Sequence, residues 1–273
     1  LLERAPGFVG ILEKPVDRQK WVTRIEDLYK KYINKKPIEE MVNKKDFRII
    51  RTFHKMNGHE DSFLEKMIDH LSEFKEKVGN APAAYLIEYN NKITSRLARA
   101  GKIEYKQYVE RVNGDMKLAY DVMPVRVVSP YDRIKYMYDG EYIIYHEKDA
   151  EAYMELQEKY ITALGNEATD VDYGSAVQTL YEATGGKISD ELHEKASEWI
   201  KKALALPNVP LMNKLNLTVL LGDASRELEK YEEAKQCYNQ AFMESMQLEQ
   251  KMMQRNIQML IKKRLANLDL LKK

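Results

Sequence analysis

The sequence predicts an all-α chain of antiparallel helical hairpins stacked on one another, and three observations carry that prediction. Glycine and proline, the two residues that break helices, number only 12 and 8 in 273 residues. Apolar residues recur at spacings of three and four along most of the chain, the period of one helix face. A pattern of small and large side chains also returns: Ala196, Ile200 and Ala203 reappear 38 positions later as Ala234, Tyr238 and Ala241. Two helices approach closely only where side chains are small, so this pattern belongs to a packed pair.

The elements follow in order. Residues 1–16, punctuated by Pro6, Gly7, Gly10 and Pro15, read as an irregular leader or the tail of something upstream. The start at Leu1 rather than methionine fits a processed protein or an excised fragment. Asp17 caps a helix to about Asn34, with Trp21, Ile25, Leu28, Tyr29 and Tyr32 on its apolar side. Pro37 opens a second, containing Ile38, Met41, Val42, Phe47, Ile50 and Phe53 and stopped by Asn57-Gly58. A third starts at Asp61 or Ser62, carries the stripe Phe63, Leu64, Met67, Ile68, Leu71, Phe74 and Val78, and closes at Gly79. Ala83–Ala100 is a fourth. Lys102–Met123 is a fifth, with Gly114 as its weak point. Short loops imply antiparallel neighbours, so 17–123 is expected to form an N-terminal helical domain.

Residues 124–148 form a tyrosine-rich connector that admits two readings. Residues 134–145 contain two strand-forming runs around Asp139-Gly140, which read as a β-hairpin with a tight turn. The competing reading is a short helix over Tyr131–Tyr138, ended at Gly140, and a second from Glu141. From Asp149 the chain is helical again, and 149–273 is expected to form the repeat domain. Ala152, Tyr153, Leu156, Tyr160 and Leu164 share one face; Val171–Thr184 follows and stops at Gly185-Gly186. After Ala241 a long helix is expected to run to about Leu270, with Lys262, Lys263 and Arg264 interrupting its apolar stripe.

Composition excludes several function classes. Lys and Arg total 44 against 43 Asp and Glu, so no global field steers the chain toward nucleic acid, and no nucleic-acid partner is expected. No apolar run approaches the ~18 residues that a membrane-spanning helix requires. The single cysteine, Cys237, rules out an intramolecular disulfide and a CxxC pair. The histidines, His54, His59, His70, His146 and His193, have no zinc-ligand spacing, and no phosphate loop or nucleophile motif is present. No catalytic residue, cofactor or metal is therefore expected; the rival reading is an enzyme whose site is assembled from several helices. Binding residues are a different matter. Tyr131, Tyr136, Tyr138, Tyr142 and Tyr145 cluster in one segment, and tyrosine offers large contact area at low entropic cost. The alternative is a core layer with hydroxyls reaching water. Arg96 and Arg99, with Lys102, either hold an acidic peptide terminus or complement a helix dipole.

The 38-residue pattern resembles the tetratricopeptide repeat (TPR). Leu221-Gly222 stands on the first helix of its second copy, and Tyr231, Ala234, Tyr238 and Ala241 on the second helix. The copy departs from the motif at Ser225, where a tyrosine is usual, and at Met246, where a proline is usual. The first copy matches in Ala196, Ile200, Ala203 and Pro207, less well in its first helix. The resemblance implies a TPR-like right-handed α-solenoid with a capping last helix. It also implies a non-catalytic scaffold that receives a protein or peptide in a concave groove. A second resemblance, carried by the helices from Trp21 through Gly58-His-Glu-Asp-Ser-Phe-Leu and by Val128-Ser-Pro-Tyr, is to the helical region accompanying thioredoxin-like domains in bacterial envelope proteins. It implies a structural companion of a redox domain and an envelope or periplasmic location; without it, a cytoplasmic one is expected. This chain lacks the CxxC pair of those proteins.

Overall fold

The structure, a computed structural model, describes residues 15–271. It is all-helical, and no strand forms among the described residues. The chain divides into two compact units: residues 1–125 with 129–138, and residues 126–128 with 139–273.

In the first unit α1 (Pro15–Lys35), α2 (Ile38–Met41) and α3 (Lys44–Phe53) precede the pair α4 (Ser62–Asp69) and α5 (Leu71–Val78). Next come α6 (Ala81–Arg99), α7 (Tyr105–Glu110) and α8 (Lys117–Tyr120). The sequence places the caps. Asn43 Oδ1 accepts from the Lys45 and Asp46 amides, and Asp61 Oδ1 from Phe63 and Leu64. The central element is α6, which packs against α4, α5, α7 and α8. It buries Ala83, Leu86, Tyr89, Ile93 and Leu97 on one side. Asn90 is buried there too, its amide donating to Tyr108 O at 2.9 Å and Tyr120 Oη at 3.0 Å.

In the second unit a π-helical turn, Tyr142–Glu147, leads through left-handed Lys148 into α10 (Ala150–Leu164). The remaining helices are α11 (Asp170–Thr184), α12 (Asp190–Leu204), α13 (Leu211–Glu227), α14 (Tyr231–Ser245) and α15 (Lys251–Leu271). Each packs on the next, and α11 also touches α13. Two apolar clusters result. Ile144, Tyr153, Val177, Leu180, Trp199 and Ile200 anchor the first, and Leu215, Val219, Tyr238, Ile261 and Leu268 the second. Helix α13 feeds both, Leu217 entering one and Leu215 the other. A helix apolar on both flanks is the expected sign of a central position.

The structure corrects several expectations. The β-hairpin over 134–145 is absent: α9 (Pro130–Glu141) and the π turn occupy that stretch. Ser129 accepts the Asp132 amide at 3.1 Å and Pro130 begins the helix, so a good helix start overrides the strand propensity. Gly140 is not in a turn conformation, since its φ is not positive. A Cβ there would lie 2.7 Å from Gln157 Nε2, so glycine admits α10 rather than a reversal. The helix expected from Pro37 splits at Asn43, and the one from Ser62 splits at His70. Lys102–Met123 breaks into α7 and α8 around Gly114, and the long helix after Ala241 breaks between Ser245 and Lys251. Residues 15 and 16, expected in the irregular leader, belong to α1; the rest of that leader lies outside the described residues.

Candidate functional site

In the second unit α11, α13 and α15 line an open groove of about 400 Å³. Leu215, Val219 and Leu220 of α13 and Ile257 and Leu260 of α15 give it apolar walls; Gln178, Tyr181 and Glu182 of α11 give a polar edge. Leu260 is exposed, so part of this wall faces solvent. Its third component is charged. Arg264 Nε donates to Asp223 Oδ1 at 2.8 Å and Nη2 to Oδ2 at 2.8 Å, a fork-to-fork pair joining α15 to α13. The Tyr238 hydroxyl donates to the same carboxylate at 2.7 Å, and Arg226 Nη1 stands 3.7 Å from it.

Three of these groups are shifted from their ordinary values. The Asp223 hydrogen bonds raise the Arg264 pKa further, and Arg226 is likewise raised, burial being outweighed by Glu227 and Asp223. Burial and Asp223 push the Tyr238 hydroxyl far above its ordinary value. The floor of the groove is therefore one buried carboxyl group between two guanidiniums.

Compared with protein-family models, with curated proteins and with solved structures, the chain matches none. The residues themselves must then carry the reading. The positions singled out for close helix packing, Ala196, Ile200, Ala203, Ala234, Tyr238 and Ala241, are all completely buried. Leu221 is half-buried against the first apolar cluster. At Gly222 a Cβ would lie 2.6 Å from the Tyr238 ring, so the Tyr238 side chain needs that glycine opposite it.

The five connector tyrosines are divided between the two units. Tyr131, Tyr136 and Tyr138 belong to the first unit, Tyr142 and Tyr145 to the second. Tyr138 is buried and donates to Asn91 O at 3.1 Å; Tyr131 donates to Glu110 at 2.6 Å. Tyr136 is half-buried, Tyr142 lies with its ring 5.0 Å from that of His146, and Tyr145 packs on the first cluster. Arg96 Nε donates to Gly58 O, clamping a loop to α6, while Arg99 is exposed at the end of α6. Cys237 is half-buried, and burial pushes its thiol up, which disfavours thiolate chemistry. His193 is buried with its Nδ1 2.7 Å from the Tyr181 hydroxyl, and burial lowers its pKa. No group of three potential metal ligands forms among the described residues.

Sequence reasoning missed Asp223, Arg226 and Arg264. Arg264 reads in sequence as an interruption of an apolar stripe, yet it turns inward to Asp223, 41 positions away. The available signal was Asp223 itself: an acid one residue after Leu221-Gly222, on a helix apolar at both flanks, requires a buried cation.

Proposed function

We propose that the second unit is a TPR-like right-handed stack of helical hairpins, and that the chain is a non-catalytic scaffold whose α11/α13/α15 groove receives a protein partner. One observation supports this above the rest: alternate helices of the stack, and not their hairpin mates, line a groove with apolar walls over a fixed charged floor. Apolar side chains of an incoming peptide or helix would bury against Leu215, Val219 and Ile257, the area term that supplies affinity. Arg226 and Gln178 would fix its register through polar contacts. The Asp223–Arg264 pair keeps α13 and α15 at a set separation before any partner arrives, which reduces the ordering cost of binding.

The test uses peptides selected from a random library on the whole chain. Leu260→Glu and Asn216→Trp both alter exposed positions on the groove wall and leave the core intact. The expected result is that selected peptides bind the parent and lose about tenfold or more in affinity for both variants, the value of one or two lost apolar contacts. Peptides that bind the variants as tightly as the parent, or a library that yields no binder, would remove the groove as the recognition site.

A further inference from the structure

The first unit holds a separate cavity of about 460 Å³ between the end of α3, the loop that follows it, and α6. Its reachable side chains are Arg51, Lys55, Asn57, Glu88 and Lys92: three cations, an amide and one acid. This bias is local, because the whole chain is nearly neutral.

The cavity is rigid at its base. His54 lies there with Nδ1 3.0 Å from the Tyr29 hydroxyl and Nε2 3.1 Å from Asp61 Oδ2. Both ring nitrogens are thus engaged, and the Tyr85 hydroxyl donates to His54 O at 3.3 Å. The loop is fixed as well. Gly58 has φ +69°, a Cβ there would stand 3.3 Å from Lys92 O, and its carbonyl accepts from Arg96 Nε. An enlarged side chain at Gly58 would push the loop off α6 and open the cavity.

The cations, by contrast, are only loosely committed. Lys55 meets Glu26 and Lys92 meets Glu88 at 2.8 Å, all four side chains exposed, and pairs of that kind contribute about 0–1 kcal/mol. No acidic side chain among the described residues pairs with Arg51. A ligand that carries its own negative charge can displace these weak partners and gains an unpaired guanidinium.

We infer that this cavity is an oxyanion site, taking a carboxylate or phosphate group between Arg51, Lys55 and Lys92, with the Asn57 amide as a further donor. The group has two sources, a small free anion or an acidic side chain presented by a protein, and the cavity is large enough for either. The site belongs to the first unit and the α11/α13/α15 groove to the second, and it does not depend on how that groove is used.

Amide-resolved NMR titration of the whole chain tests it, with inorganic phosphate, citrate and a glutamate-rich peptide as separate probes at about 0.15 M ionic strength. The expected result is saturable movement of the Arg51, Asn57 and Lys92 amides with at least one probe. Binding should weaken by about tenfold in Arg51→Glu and again in Lys92→Glu, as loss of a charge-assisted bond requires. Both positions are exposed, and an unchanged thermal midpoint shows that the variants fold. Saturation by phosphate or citrate assigns a small free anion; saturation by the peptide alone assigns an acidic protein segment. If no probe saturates, or if the shifts persist unchanged in the double variant, the site is refuted.

Discussion

Gly222 and Tyr238 show how a single pair of residues sets a helix spacing. Tyr238 is fully buried, its ring lies against the missing Cβ of Gly222, and its hydroxyl reaches Asp223. Ring and hydroxyl are both constrained, so the ring has no free direction in which to retreat. Gly222→Ala should therefore destabilise the second unit by about 1–3 kcal/mol, the usual cost of overpacking, despite alanine's better helix propensity. Urea unfolding of Gly222→Ala and of Gly222→Ala with Tyr238→Leu would measure it. The double variant should recover part of the loss, and a Gly222→Ala chain as stable as the parent would show that the ring can move. Gly140 is a residue of the same kind that was read the other way. Its neighbour Asp139 made a turn plausible in sequence, whereas in the structure its missing side chain admits Gln157 and Tyr153. A glycine's role depends on what lies across from it, and sequence does not carry that for a contact 17 residues away.

At the scale of elements, long amphipathic helices were legible and their interruptions were not. The apolar stripes located α1, α6 and α10 to within a few residues, because a stripe integrates many side chains. The breaks at Asn43, at His70 and after Ser245 each depend on one or two residues, too few to perturb the period. The start of α11 shows what a strong boundary looks like. Thr169 and Asp172 form a reciprocal capping box, and Asp172 also accepts from Arg126 Nη1 at 3.1 Å and Nη2 at 2.8 Å. Burial raises the Asp172 pKa, but the bonds from Arg126 and Thr169 outweigh it and hold the carboxyl below its ordinary value. A carboxyl with a depressed folded pKa gives stability that is full above its unfolded pKa of 3.8 and is lost as pH falls through the folded value. Arg126→Ala should cost about 1–2 kcal/mol at neutral pH, between the values of exposed and buried pairs, because both side chains are partly buried. It should also flatten the acid limb of the stability curve below about pH 4, since the part of the depression that Arg126 supplies is lost with the guanidinium. Denaturant unfolding of parent and variant across that range checks both, and parallel acid limbs would mean that Asp172 is held down by its cap alone.

Across the whole molecule the two units differ in how their helices meet. In the second, every helix from α10 to α14 packs on its successor, so the main helix pairings are between neighbours in the sequence. In the first, α6 gathers four partners, and its core is organised around one helix. This distinction bears on what the sequence of each unit can carry. A stack of neighbours writes its pattern into adjacent stretches of sequence, while a hub such as α6 meets partners whose spacing follows no period. The groove escaped notice for the same reason, because Asp223 and Arg264 meet across a break that the sequence did not announce. The stack also predicts energetic independence. Residues 139–273 contain both apolar clusters, including Trp199, Ile200, Tyr238 and Ile261, and are long enough to bury a core of their own. That fragment should be helical by circular dichroism and unfold cooperatively. It should be less stable than the same unit in the whole chain, because it lacks Arg126, which pairs with Asp172, the Val127 amide, which donates to Glu167, and buried Val128. Arg126→Ala in the whole chain is the matching control, and its second unit should unfold at a denaturant concentration between those of the fragment and the parent. A fragment that is helical but melts without cooperativity would mean that the stack relies on residues before Asp139 for more than these contacts.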